Sequence, residues 1–225
     1  MPKNAARPHA SAESNADGRP RGRAAIADRR RAELLEATRQ VVVERGMAST
    51  RVTDIASATK VSGGLIHYHF ATKDDLMAEM LRVSSMEEQQ QLARMVNEPG
   101  SALARLDKVL RHYLPLVPGD DQSWVLWLEA FAAGLRSPVL REILAELEAA
   151  WIRSLERVIR DGVEAGEFVC ADPAGAAERL DSLLDGLLIR ATVHPDAIPR
   201  QRLIEHARIA AAHEVGLHRD AFPPS

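Results

Sequence analysis

The residues best suited to binding or catalysis lie close together in the stretch Ser-Gly-Gly-Leu-Ile-His-Tyr-His-Phe at residues 62–70, which is followed by Lys73. Two histidines invite a metal or catalytic interpretation, whereas slim residues followed by ring donors suit contact with a polyanion. On a helix, residues two apart point about 200° away from each other, so His67 and His69 cannot easily chelate one ion. We therefore expect no metal site and interpret the stretch as a short helix that lies against nucleic acid.

The stretch has a slim end and a ring-bearing end. At the slim end, Ser62 is a candidate N-cap, and Gly63 and Gly64 allow backbone N–H groups at a helix N-terminus to approach a phosphate. Phe70 is expected to face the supporting helices, and Lys73 adds a cation at the start of the next helix. The outward donors to phosphates or base edges are His67, Tyr68 and His69.

Helices must position these residues. The chain has 225 residues, of which 46% are hydrophobic and 4% aromatic, and it shows no period-two alternation. We therefore predict an all-α protein without a sheet. Gly46 is predicted to end the first helix, and Thr53, Ser62 and Thr72 to cap the next three. The predicted helices span about 28–45, 53–60, 62–69, 72–96, 101–117, 121–136, 138–162, 173–193 and 199–215.

Charge and composition divide the chain. Residues 1–82 hold 14 Lys and Arg against 10 Asp and Glu, a net +4, and the remainder holds 15 against 22, a net −7. A basic N-terminal part on an acidic body favours contact with phosphates by the former. We predict a disordered basic tail at 1–25, a DNA-binding domain at 26–82 and a helical ligand-binding and dimerisation domain at 83–217.

Two helices of about eight residues joined by a short turn form a helix-turn-helix, whose second helix enters the DNA major groove. The motif lies at about 51–70, within the run TRVTDIASATKVSGGLIHYHFATKDDL. Over residues 28–82 the chain resembles the DNA-binding domain of TetR-family transcriptional regulators. The resemblance implies DNA contacts by Val52, Thr53, Ser62, Gly63, Gly64, Leu65, His67, Tyr68, His69 and Lys73.

Two residues depart from the pattern of many members of that family. Lys60 stands in the turn where many members have glycine, so this lysine is expected to adopt the turn's backbone geometry, with positive φ. His67 stands where many members have tyrosine, so a neutral donor is replaced by one that can carry charge.

TetR-family regulators dimerise through their last two helices, for which the candidates are residues 173–193 and 199–215. The resemblance implies a homodimer that binds a palindromic double-stranded DNA operator. The alternative, that these apolar stripes pack only inside one chain, stays open. The candidate interface residues are Leu180, Leu183, Leu184, Leu187, Leu188, Leu203, Ile204, Ala207 and Ala211.

The middle of the chain, SWVLWLEAFAAGLRSPVLREILAELEAAW, resembles the ligand domain of the BetI-like subclass, whose best-known effector is choline. Clustered rings beside a carboxylate could hold a quaternary ammonium by cation–π attraction. Ordinary core tryptophans are the alternative. The candidate pocket residues are His112, Tyr113, Trp124, Trp127, Glu129, Phe131 and Trp151.

The sequence thus predicts a cytoplasmic, dimeric repressor that a small-molecule effector releases from its operator. The cytoplasmic setting follows from a single cysteine, Cys170, and no apolar run is long enough to span a membrane. No phosphate loop, nucleophile elbow or paired histidine motif indicates an enzyme or a cofactor. The alternative is an all-helical ligand-binding or scaffolding protein with a degenerate helix-turn-helix.

Overall fold

The computed structural model describes residues 21–114, 122–194, 196 and 198–223. Within these ranges every regular element is helical, as the sequence predicts. The α-helices are α1 (Arg21–Arg45), α2 (Val52–Thr59), α3 (Gly63–His69), α4 (Lys73–Val96), α5 (Ala102–Tyr113), α6 (Gln122–Gly134), α7 (Pro138–Glu164), α8 (Pro173–Val193) and α9 (Arg200–Glu214). A 3₁₀ turn, Arg219–Ala221, follows α9.

Local capping sets most helix starts. The Ser62 hydroxyl accepts a hydrogen bond from Leu65 N at 3.2 Å, which confirms Ser62 as the N-cap of α3. Thr72 caps α4 in a reciprocal box with Asp75, which is also as predicted. Gly46 follows α1 with φ 81°, the left-handed conformation that glycine adopts at no steric cost.

The predicted N-cap of α2 is wrong by two residues. Thr53 lies inside α2, and Arg51 takes the N-cap position. The reason is the carboxylate of Asp54, whose Oδ2 accepts a hydrogen bond from Arg51 N at 2.9 Å and so fixes the turn before the helix.

Helix α1 also begins earlier than predicted. It starts at Arg21, so residues 21–25 are helical and do not belong to a disordered tail. Arginine and alanine are strong helix formers, and their propensity outweighs the lack of large apolar residues there. Residues 1–20 of the predicted tail, and the predicted helix boundaries at 117 and 121, lie outside the described residues.

Two apolar clusters form the core, and helices α4 and α7 run through both. The first cluster joins α1–α3 to the N-terminal parts of α4 and α7 and includes Ile55, Ile66 and Leu76. The second fills the body between α5, α8, α9 and the C-terminal parts of α4 and α7. A continuous helix, α4, therefore connects the helix-turn-helix to the body.

The predicted dimer-interface residues need correction. A side chain without accessible surface has none to lose to a partner, and eight of the nine are at most 8% exposed within the single chain. Only Leu183 is half-buried. The eight residues, which pack in the body core, are Leu180, Leu184, Leu187, Leu188, Leu203, Ile204, Ala207 and Ala211.

Candidate DNA-binding surface and effector cavity

The turn between α2 and α3 depends on the backbone of Lys60. This residue has φ 56° and ψ 31°, as predicted, and its N–H bonds to Ala56 O. A left-handed conformation costs a residue with a side chain about 1–2 kcal/mol. The turn tolerates this cost because it brings α3 directly against α2, with the Val61 N–H also bonded to Ala56 O at 3.2 Å.

Helix α3 has an inner and an outer face. Ile66 is 1% exposed, and Phe70, which caps the helix, is also buried, as expected for a core residue. Tyr68 is 80% exposed, and His67 and His69 are exposed beside it. The three ring donors are therefore accessible to solvent, with His69 at the edge of a groove that Phe70 and Asp75 also line.

The slim end of α3 is open as well. A Cβ at Gly63 would meet no atom within 4 Å, and one at Gly64 would meet only Ser62 Oγ, at 3.9 Å. Neither glycine has positive φ. Nothing within the described chain therefore requires glycine at these positions. Of the remaining predicted contacts, Leu65 and Thr53 are exposed, and Val52 at the start of α2 is half-buried.

Lys73 has a structural partner that the sequence did not reveal. Its Nζ donates a hydrogen bond to Met47 O at 2.8 Å, in the turn between α1 and α2. The ammonium thus ties the start of α4 to that turn, next to the DNA-binding surface. Within the described part of the chain, no three His, Cys, Asp or Glu side chains converge as metal ligands would.

The body contains a cavity of about 450 Å³ between helices α4 to α8. Six of the seven predicted pocket residues line it: His112, Tyr113, Trp124, Trp127, Phe131 and Trp151. The remaining wall comes from Ser85, Glu88, Gln89, Gln91, Leu92, Leu144, Leu147, Glu148, Asp181 and Asp185.

Three rings form an aromatic corner around Tyr113. The centroid of its ring lies 5.0 Å from that of Trp124 and 4.5 Å from that of Trp151. The Nε1 atom of Trp151 is buried and has no hydrogen-bond partner among the described residues. A buried N–H without a partner is costly, so the packing of the aromatic corner must offset this loss.

Glu129 does not line the cavity, which corrects the prediction. Residues 124, 127 and 131 share one face of α6, and a residue two positions after Trp127 points about 200° away. Glu129 faces the helix-turn-helix instead, where its Oε2 accepts a hydrogen bond from Met47 N at 2.7 Å. Helix α6 therefore contacts the cavity with one face and the turn after α1 with the other.

The carboxylates of the cavity come from residues that the sequence reading missed. Asp185 Oδ1 accepts a hydrogen bond from the Tyr113 hydroxyl at 2.5 Å. Asp181 and Asp185 are four residues apart on α8, so they share a face, and acidic residues within its leucine stripe were the available signal. Glu88 and Glu148 approach from α4 and α7.

The cavity is anionic, and burial opposes its charges. Burial raises the pKa of Asp181 to about 7, and the charges of Asp185 and Glu148 add to the rise. Burial also raises the pKa of Asp185 and of Glu88 and lowers that of His112. No lysine or arginine is among the described residues that line the cavity. A bound cation would relieve this accumulation of unpaired carboxylates.

Comparison with known proteins identifies the family. The family model for the C-terminal domain of BetI-type transcriptional repressors matches residues 102–216, about half of the chain, and that for bacterial regulatory proteins of the tetR family matches residues 34–80. The chain belongs to the TetR family of transcriptional regulators. This TetR-family regulator is thus a DNA-binding protein and not an enzyme, which confirms both expectations.

Individual relatives agree with this assignment. The HTH-type transcriptional regulator BetI of Escherichia coli K12 is 27% identical over 183 residues, which cover 77% of this chain and 87% of BetI. A transcriptional regulator from Saccharomonospora viridis, solved in complex with choline, has 27% identity and a TM-score of 0.74, over 82% of this chain and 96% of that one.

A more distant structure is similar in fold. FadR from Bacillus subtilis, solved with stearoyl-CoA, is 19% identical with a TM-score of 0.67, over 83% of this chain and 99% of that one.

Among the helices in the described ranges, none has the length and apolarity needed to cross a membrane.

Proposed function

We propose that this TetR-family regulator is a homodimeric repressor that leaves a palindromic operator when an organic cation occupies its cavity. The observation that carries the proposal is the lining of the cavity, which combines an aromatic corner with four carboxylates and, among the described residues, no lysine or arginine. Regulation of transcription requires access to chromosomal DNA, so we also propose a cytoplasmic location.

The chemistry of the cavity favours a cation over an anionic or neutral effector. A cation over the face of tryptophan or tyrosine gains about 0.5–2 kcal/mol when it is desolvated. The carboxylates at Asp181 and Asp185 can then pair with it instead of repelling each other. The choline complex of the Saccharomonospora viridis regulator supports a quaternary ammonium or another organic amine as the effector class.

The outward face of α3 supports operator binding. Ser62, Gly63 and Gly64 leave the helix N-terminus open to a phosphate, and the exposed His67 and Tyr68 provide donors beside it. The remaining proposed contacts are Val52, Thr53, Leu65, His69 and Lys73. Lys73 would contact a phosphate while its ammonium also holds the turn after α1.

The outer faces of α8 and α9 support a dimer. Ile189 is 46% exposed, Val193 56% and Ile209 40%, and Ile189 and Val193 are four residues apart, so they share one face of α8. Gly186 on α8 would accept a Cβ without meeting any atom within 4 Å, so a close partner helix could explain the glycine. A two-fold dimer would place two α3 helices about 34–36 Å apart, in successive major grooves of a palindrome.

Two hydrogen bonds connect the cavity to the DNA-binding surface. Glu129 on α6 binds Met47 N, and Ser137 at the start of α7 donates to Asp74 Oδ2 on α4 at 2.5 Å. A cation that displaces the α6 wall would therefore move the turn after α1 and the start of α4. Release from DNA requires that the cation bind the DNA-incompetent arrangement more tightly.

The test starts with selection of DNA duplexes from a random library by the full chain. We expect the selected duplexes to share an inverted repeat and to bind two chains each. Titration with choline or another alkyltrimethylammonium ion should then release the labelled duplex, as measured by fluorescence anisotropy, whereas an alkyl sulfate of equal length should not.

The experiment also separates the proposal from its alternative. A chain with no sequence preference at low salt would be a ligand-binding protein with a degenerate helix-turn-helix. A chain that selects an inverted repeat but responds to no organic cation would retain the operator assignment and lose the effector assignment.

A further inference from the structure

The four carboxylates of the cavity fall into two groups. Three of them interact with one another: Asp181, Asp185 and Glu148. The charges of Asp185 and Glu148 raise the pKa of Asp181, and the charges of all three raise the pKa of Tyr113. We call these three residues the inner acidic group. The group lies at the aromatic corner, where the Tyr113 hydroxyl bonds to Asp185.

Glu88 stands apart from the inner acidic group. It comes from α4, is half-buried and lines the cavity. Burial is the main cause of its raised pKa. Helix α4 packs against α1, α5 and α7, whereas α8, which carries two residues of the inner acidic group, packs against α6, α7 and α9. Glu88 therefore approaches the cavity from a different side from Asp181 and Asp185.

The wall of the cavity also includes apolar side chains. Leu92, Leu144 and Leu147 line the same cavity as Trp124. An aliphatic segment of a ligand would be stabilised against these side chains, since burial of each CH₂ group is favourable. The positively charged centres of such a ligand would be drawn to the carboxylates.

We propose that the cavity is built for an elongated organic dication, a molecule with two amine or ammonium centres joined by an aliphatic chain, with one centre at the inner acidic group and the other at Glu88. This inference rests on the proposed cation-binding function of the cavity. A monocation pairs with only one of the two positions and leaves the carboxylate at the other without a counter-ion. His112 faces the cavity from α5, but burial lowers its pKa, so it does not supply the second positive charge.

Two matched pairs of compounds test the proposal by isothermal titration calorimetry with the full chain. The first pair is hexylamine and hexamethylenediamine, and the second is hexyltrimethylammonium and hexamethonium. In each pair the six-carbon chain and the type of cationic group are constant, and the dication carries a second such group. We expect the dication to bind at least about tenfold more tightly than the monocation in at least one pair.

The variant Glu88→Gln removes the outer charge with little change in shape. Its affinity for the dication should fall to within about twofold of the monocation, while the affinity for the monocation stays the same. Glu87→Gln is the matched control, since it removes a charge from the adjacent, exposed position on α4 and should keep the preference. Asp185→Asn should weaken both compounds of a pair.

The outcomes distinguish this inference from the function on which it rests. The inference would be overturned by equal affinity for monocation and dication, or by a preference for the dication that survives Glu88→Gln. Either result would still leave a cation-binding cavity. Failure of all four compounds to bind the folded wild-type chain would overturn the cation-binding function itself. Thermal melting of each variant, checked against the wild type, confirms that a lost preference does not reflect unfolding.

Discussion

In α3 the candidate DNA-binding side chains are exposed to solvent, whereas the polar side chains that line the cavity come from five helices, α4 to α8. Tyr68 is largely exposed, while Asp181 is buried beside two other carboxylates. The difference teaches that a surface for DNA can be built from one short, contiguous motif. A site for a small cation requires groups that burial disfavours, and it depends on the whole fold to hold them.

The two regions meet at α6 and the turn after α1. Trp124 and Trp127 face the cavity from this helix, and Glu129 binds Met47 N from its opposite face. If the two regions are independent, substitutions in one should leave the other unchanged, and only this contact should affect both.

The inner and outer faces of α3 should respond differently to truncation. Ile66→Ala removes a fully buried side chain and should lower the free energy of unfolding by about 2–5 kcal/mol. Tyr68→Ala should change it by less than about 0.5 kcal/mol, because the ring is mostly in solvent. Urea denaturation measures both values. A loss for Tyr68→Ala as large as that for Ile66→Ala would contradict the proposed outward face.

The contact between the two regions should carry both stability and coupling. Glu129→Ala leaves the Met47 N–H without its partner, so we expect a loss of about 1–3 kcal/mol in the free energy of unfolding. We also expect the cation to release DNA less effectively. Glu129→Gln keeps an acceptor and should recover most of the stability.

The matched control for this contact is Glu164→Ala, at an exposed position at the end of α7. It should alter neither urea denaturation nor the release of DNA. Full release of DNA from the Glu129→Ala variant would show that coupling takes another route, such as the bond between Ser137 and Asp74.

The glycines of α3 should matter for DNA and not for folding. Gly63→Ala and Gly64→Ala fit the chain, and alanine favours a helix, so stability should stay equal or rise by up to about 1 kcal/mol. Affinity for the selected duplex should fall by about tenfold, or about 1.4 kcal/mol, because a methyl group separates the helix from the phosphate. Anisotropy titration gives the affinity.

Gly162→Ala makes the same chemical change where the chain itself needs the space. A Cβ there would lie 2.1 Å from Phe168 Cδ2, so the variant should lose about 1–3 kcal/mol of stability. Unchanged DNA affinity in both α3 variants would remove the slim end from the proposed DNA contacts.

The buried acid of the cavity should make stability depend on pH. The pKa of Asp181 rises from 3.8 to about 7 on folding, so the folded state holds more protons between these values. Its contribution to stability therefore falls as pH rises from about 4 to about 7. The variant Asp181→Asn should therefore gain Tm over the wild type at about pH 8, where the buried carboxylate is ionised, and gain less at about pH 5. Each 1 kcal/mol of stability gained corresponds to about 2–4 °C in Tm.

Asp107 is the control, because its pKa shifts in the direction opposite to that of Asp181. Burial would raise the pKa of Asp107, but hydrogen bonds from Arg208 and Arg111 outweigh it and lower the value. Stability from Asp107 is therefore present above about pH 4, and Asp107→Asn should cost the same at about pH 5 and about pH 8. The same pH trend in both variants would argue against a raised pKa at Asp181.

The DNA-binding motif was largely predictable from sequence, because its chemistry and its caps are contiguous. Ser62, Phe70 and the positive φ of Lys60 follow from local rules of capping, periodicity and turn geometry, and the structure confirms each. The bond from Lys73 to Met47 O was not predictable, since the two residues are 26 positions apart and no local pattern connects them.

The cavity was predictable only in part. The shared face of Trp124, Trp127 and Phe131 on α6 gave the aromatic wall, and the same periodicity, applied strictly, would have excluded Glu129. The inner acidic group comes from α7 and α8, whose approach to Tyr113 depends on packing between distant helices.

Most of the helices, the caps at Ser62 and Thr72 and the helix-turn-helix follow from the sequence, because these depend on interactions within a few residues of the chain. Which apolar stripes are buried in the core and which are exposed was known only from the tertiary structure. Leu184 and Ala207 are buried, so the candidate dimer surface is instead the exposed set Ile189, Val193 and Ile209. The tertiary structure also decided which carboxylates face the cavity. Both depend on which helices pack together, and helical periodicity assigns a residue to a face without naming the neighbour of that face.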